Sequence, residues 1–98
     1  MDINITKENG QMNVALTGRL DTLTSPELEA KLKPELDSLE KLTFDFAGLE
    51  YISSAGLRVL LMAAQSMEDK GVMVVKNVSS DIMDIFEVTG FVDILNIE

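Results

Sequence analysis

Two adjacent serines, Ser53 and Ser54, stand between a run of alternating apolar residues and a run with helical periodicity. A hydroxyl at such a corner can act as a nucleophile, accept a phosphoryl group, or cap the helix. Nucleophilic catalysis needs a base beside the hydroxyl. The sequence holds no histidine and no cysteine, so Ser–His and Cys–His arrangements cannot be built within the chain. No lysine or aspartate near Ser54 completes another nucleophile pattern, and an unactivated serine is weak. The chain is therefore expected to have no catalytic residues and not to be an enzyme. Phosphoryl acceptance asks only for an exposed hydroxyl on a rigid frame. The unpaired N–H groups and dipole of a first helical turn favour an anion there by about 0.3–1 kcal/mol, rising to ~2 kcal/mol when partly buried. Gly56 is read as leaving the surface beside Ser54 open to a visiting active site. Capping is the ordinary role of a serine before a helix, worth about 1 kcal/mol, and either serine can fill it. The roles are compatible, because phosphorylation would replace a hydroxyl cap by an anionic one.

Composition narrows the function classes further. The chain has 98 residues, 46% hydrophobic and 26% charged, which predicts one globular domain over residues 1–98. Its formal net charge is −9. Such a surface repels phosphate backbones and anionic headgroups and attracts a partner with a basic patch. Direct nucleic-acid binding is not expected. Without cysteine there is no disulfide, and without cysteine and histidine the usual zinc sites vanish. No metal or cofactor is expected. The opening Met1-Asp2-Ile3-Asn4-Ile5 has no basic region, and no window approaches the roughly 18 apolar residues of a spanning helix. The expectation is a cytoplasmic protein with no membrane insertion.

The elements that position the serines follow from periodicity. Ile3 and Ile5 alternate with polar residues, then Glu8-Asn9-Gly10-Gln11 forms a turn, then Met12, Val14 and Leu16 alternate again. Asn-Gly between two alternating runs predicts a hairpin, with Gly18 ending its second strand. Thr24-Ser25-Pro26-Glu27 predicts a helix start, with Thr24 or Ser25 as cap and Glu27 closing a capping box. Leu28, Leu32, Leu36 and Leu39 give its inner face, and Pro34 is expected to kink or divide it. Leu42, Phe44 and Phe46 read as a strand, and residues 48–53 as a loop. Leu57, Leu60, Leu61, Ala64 and Met67 mark the helix that opens at Ser54, closed by Gly71 as a left-handed cap. The apolar run Val72–Val75 suits a parallel strand buried on both faces. A third helix carries Ile82, Ile85, Phe86 and Thr89 inward, is capped by Ser79, Ser80 or Asp81, and stops at Gly90. The apolar tail over 91–97 is expected to add a last strand. Met62, Met67 and Met83 are expected to fill core gaps. The order is β-β-α-β-α-β-α-β: an α/β fold with a mixed, mostly parallel sheet, an opening hairpin and three to four helices.

Two stretches carry a resemblance. Tyr51-Ile52-Ser53-Ser54-Ala55-Gly56-Leu57 resembles the signature of the STAS domain, found in bacterial anti-sigma factor antagonists. About thirty residues upstream, Gly18-Arg19-Leu20-Asp21-Thr22-Leu23-Thr24 is similar to that family's Gly-x-Leu-Asp element. The element order agrees over almost the whole chain. The resemblance implies that Ser54 is the phosphoacceptor of an anti-sigma factor that is also a serine kinase. It implies that Asp21, Thr22, Ser53, Ala55 and Gly56 face this partner. The unmodified antagonist would bind the kinase and free a sigma factor, the phosphorylated form would let go, and a serine phosphatase would reset it. One residue departs from the pattern, for Ser53 stands where the family usually has aspartate. That departure leaves a second expectation open: a STAS subunit of a signalling scaffold or lipid transport complex that binds without being phosphorylated.

Overall fold

Asn9 and Gly10 reverse the chain, both at positive φ, 51° and 78°, as the two central residues of a tight hairpin require. In the computed structural model, which describes residues 1–98, they join β1 (Asp2–Glu8) to β2 (Gln11–Leu20). The two strands pair antiparallel, with Ile3 opposite Leu16 and Ile5 opposite Val14. Helix α1 (Ser25–Leu36) then leads to β3 (Lys41–Ile52), α2 (Ser54–Met67) to β4 (Val72–Lys76), and α3 (Ser80–Thr89) to a 3₁₀ turn at Phe91–Asp93. The sheet has four strands in the order β1-β2-β3-β4, parallel between β2 and β3 and between β3 and β4. Two parallel crossovers advancing in one direction put their helices on one face, where α1 and α2 pack together.

The core lies between that face and the helices. Met12, Val14 and Leu16 of β2 and Leu42, Phe44 and Phe46 of β3 are buried. They meet Leu28, Leu32 and Leu36 from α1, Leu57, Leu60 and Ala63 from α2, and Ile82 and Phe86 from α3. Phe46 stands 6.0 Å from Phe44 and 6.4 Å from Phe86 between ring centroids, in tilted contacts that suit the aromatic quadrupole. Met67 is buried, while Met62 and Met83 are half-buried against the core. Ser79 caps α3 by accepting from the Ile82 amide at 3.3 Å, and Gly90 ends it at φ 81°. No helix is long and apolar enough to cross a membrane.

Several local expectations are corrected. Residues 48–53 are not a loop, because β3 runs to Ile52, and β2 runs through Gly18 to Leu20. The pairing of these strands shifts register twice, between Ala15 and Thr17 and between Gly18 and Arg19. Each shift gives β3 an extra residue, so its buried positions pass from Phe46 to Leu49 to Ile52 and period-two alternation is lost. Pro34 does not divide α1, which continues through it to Leu36. It lies in the last turn, and both it and Ala30, whose carbonyl it leaves without a helical donor, are exposed to water. Gly71 is not a left-handed cap. It passes so close to the Glu40 carbonyl that a Cβ would strike it. The tail is not a full strand: Phe91 stacks on Phe86 and turns the chain, leaving a single parallel bridge between Ile97 and Val75. Val74 and Val75 of β4 are buried, but Val72 is half exposed because β4 lies at the sheet's edge.

Candidate functional site

Leu20 and Ile52 are partners at the ends of β2 and β3. The residues that follow them, Asp21 and Ser53, therefore leave the sheet side by side, at the carboxyl ends of parallel strands where α/β folds gather their binding residues. The Ser53 amide donates to the Leu20 carbonyl at 2.9 Å and the Ser25 amide to the Asp21 carbonyl at 2.9 Å. The first bond fastens the end of β2 to the start of α2, and the second closes the β2–α1 loop on itself. The two sequence stretches that suggested a function are thus one surface.

Asp21 organises its loop. Its Oδ1 accepts from the Leu23 amide at 3.0 Å and the Thr24 amide at 3.1 Å. The Thr24 hydroxyl accepts from the Asp21 amide at 2.9 Å and donates to the Arg19 carbonyl at 2.8 Å. The predicted capping box is therefore not made: Thr24 occupies the N-cap position but its hydroxyl serves Asp21 and Arg19. Ser25 is buried with its Oγ unbonded. The Thr24 amide, foremost among these contacts, holds the Asp21 carboxyl below its ordinary value of 3.8, with the Leu23 amide, the Thr24 hydroxyl and the Arg19 charge adding and desolvation opposing. Arg19 lies 3.9 Å from Asp21 Oδ2 and its guanidinium sits 4.4 Å from the centre of the Tyr51 ring. Leu23, at the tip, is 88% exposed.

The two serines divide the roles left open by the sequence. Ser53 is the N-cap, extended at φ −96° and ψ 176°, and its Oγ accepts from the Gly56 amide at 3.4 Å. Ser54, the first residue of α2, is exposed, and its hydroxyl makes no hydrogen bond within the chain. Ala55 is half-buried, Thr22 exposed and Asp21 half-buried. Gly56 corrects the reading that it keeps the surface open. It is buried, and a Cβ there would meet Leu20 Cγ and Ile52 Cγ1 at 2.8 Å. Its missing side chain lets α2 settle onto the ends of β2 and β3, which fixes the direction in which Ser54 points. Arg19, Tyr51 and Leu23 lie within the two resembling stretches, but the sequence assigned them no role. An apolar residue inside a polar turn was the visible signal for Leu23; the Arg19–Tyr51 stack depends on the shifted register and had none.

Comparison with known proteins identifies the family. The family model described as "Mlab, STAS domain" matches residues 3–96. The chain is 32% identical over 96 residues to BtrV of Bordetella bronchiseptica, a match covering 96% of this chain and 83% of that protein. It is 24% identical over 98 residues to the anti-sigma-B factor antagonist of Bacillus subtilis, covering 99% and 90%. Among solved structures, the Bacillus cell fate determinant SpoIIAA in its phosphorylated form superposes with a TM-score of 0.79 at 17% identity, over 99% of this chain and 91% of that one, a likeness of fold. With the strand order, the paired loops and the Ser53–Leu57 junction in hand, the chain belongs to the STAS domain family.

Proposed function

We propose that the protein is an anti-sigma factor antagonist that binds an anti-sigma serine kinase, releases a sigma factor, and is switched off by phosphorylation of Ser54. The observation that carries this reading is the division of labour at the corner: Ser53 serves the helix, and Ser54 is left exposed and unbonded beside the Asp21 loop. A phosphate there adds about −1.5 to −2 charge at neutral pH, to a chain already at −9. It adds bulk where Thr22, Leu23 and Tyr51 offer contact surface. Weakening binding a hundredfold takes about 2.8 kcal/mol, within reach of one phosphate stripped of its water at the contact. The protein works by binding, and no step requires turnover by its own residues. Incubation with the cognate anti-sigma kinase and ATP, followed by mapping of the modified residue, tests the reading. Phosphate on Ser54, absent from Ser54→Ala, is the expected outcome. A Ser54→Ala chain labelled at the wild-type rate would overturn it.

A second reading, a STAS subunit of a signalling scaffold or lipid transport complex that acts unphosphorylated, is favoured by Ser53. Its hydroxyl is committed to the Gly56 amide and supplies no carboxylate beside the acceptor. Co-purification with transporter ATPase subunits, together with no binding to any anti-sigma kinase, would select it.

A further inference from the structure

Helix α2 has one charged residue between Ser54 and Met67, and it is a cation, Arg58. That is unusual in a chain with 17 acidic and 8 basic residues. Arg58 is exposed and has no carboxylate partner and no side-chain hydrogen bond. Lys7, Arg19, Lys33 and Lys70 each pair with an acidic side chain, whereas Lys31, Lys41 and Lys76, like Arg58, form no salt bridge; Arg58 differs from these three in standing on the helix that Ser54 opens. Nothing in the unmodified fold uses its guanidinium.

Its position relative to Ser54 gives it a use. Ser54 and Arg58 are four residues apart in one helix, so their side chains share a face one turn apart. An anion N-terminal to a cation at this spacing is the favourable order, in line with the helix dipole. A phosphoryl group offers three acceptor oxygens, and a guanidinium offers paired donors that match two of them. The carboxylates on neighbouring elements work the other way: Asp21, itself held by the Leu23 and Thr24 amides and near Arg19, and Glu50 on β3.

We propose that Arg58 is a built-in counter-ion for phosphoserine at position 54, folding back along α2 to hold the phosphate on its own helix. This rests on Ser54 being the phosphoacceptor. Held there, the dianion keeps its charge to lower pH and is withdrawn from a basic partner that would otherwise capture it. The switch then weakens binding without creating a free phosphate on the surface, and a phosphatase has to open the pair before it can act.

The test places phosphoserine at position 54 of the full chain by genetic encoding, so that no kinase is needed. The second phosphate ionisation is followed by phosphorus NMR in the wild-type background, in Arg58→Gln and in Arg58→Lys, each checked for folding by circular dichroism. An unperturbed phosphoserine ionises near pH 6. The wild-type background is expected to ionise lower than Arg58→Gln by roughly half a pH unit. Arg58→Lys should retain part of the difference, and about 1 M salt should remove most of it. Coincident titrations for wild type and Arg58→Gln would overturn the proposal. A kinase that leaves Ser54 unmodified would instead sink the switch reading while leaving this titration difference in place.

Discussion

The Ser53 amide and the Leu20 carbonyl meet at 2.9 Å, and that bond joins the two loops on which the candidate site stands. It extends the β2–β3 ladder by one step beyond the last paired residues, Leu20 and Ile52. The corner is therefore part of the sheet, and the helix starts from a fixed point. Directly above, Gly56 lies against the side chains of the same two residues, Leu20 and Ile52. Local stability and presentation of Ser54 are consequently linked.

Gly56→Ala should expose that link. Alanine favours a helix over glycine by about 1 kcal/mol, yet its Cβ would lie 2.8 Å from both Leu20 and Ile52. Both neighbours are buried and cannot swing away, so overpacking at a cost of about 1–3 kcal/mol should prevail. The expected result is a lower urea midpoint with an unchanged slope. A variant as stable as wild type would show that α2 can lift without penalty.

The two serines should separate cleanly in stability measurements. Ser53→Ala removes the acceptor of the Gly56 amide and should cost about 1 kcal/mol. Ser54→Ala removes a hydroxyl that bonds nothing in the chain and should stay within about 0.5 kcal/mol of wild type. Chemical denaturation of both variants side by side checks this. Equal losses would mean that both hydroxyls support the helix.

Much of this arrangement was legible in the sequence, and the misses share a cause. The hairpin turn, the inward Leu28, Leu32 and Leu36 of α1, the start of α2 at Ser54 and the Gly90 stop all follow from local signals that the fold does not override, while Leu39, read with those leucines, is buried beyond the end of α1. Residues 48–53 escaped because two register shifts change the burial period of β3 from two to three after Phe46, and no local pattern announces a bulge. The capping box at Thr24 failed because Asp21 competes for the same amide and hydroxyl. The role of Gly56 escaped because it depends on residues 36 positions away in sequence, at Leu20. The division between Ser53 and Ser54 was beyond periodicity, since both are acceptable caps and only backbone geometry decides.

Acid should loosen the Asp21 loop. The carboxyl ionises below its ordinary value of 3.8 because the Thr24 amide, and then the Leu23 amide, bind the charged form. A carboxylate with a folded-state value below its unfolded one stabilises the fold above the unfolded value and loses that contribution as pH falls through the folded value. Wild type should therefore exceed Asp21→Asn in stability at neutral pH, with the gap closing below about pH 3.8. Urea midpoints of both proteins across this range measure it. A gap that stays constant down to pH 2 would assign the effect to packing and not to charge.

Leu23 offers a test of the surface that leaves the fold alone. It is 88% exposed, so replacing it removes almost no buried contact, and Leu23→Ser should alter stability by no more than about 0.5 kcal/mol. Its backbone, however, is held by Asp21 Oδ1 through its own amide and that of Thr24. A loop backbone fixed before any partner arrives loses little freedom on binding, which leaves more of the apolar contact made by a side chain on it to appear as affinity. In the proposed function it reaches the kinase together with Thr22, from the loop tied to Ser53. Leu23→Ser should then weaken binding to the anti-sigma kinase at least tenfold, about 1.4 kcal/mol, mainly through faster dissociation. Surface plasmon resonance on the purified pair reads both rates. Unchanged dissociation would place the contact surface away from the Asp21 loop, while a parallel loss of thermal stability would show that the leucine acts within the fold after all.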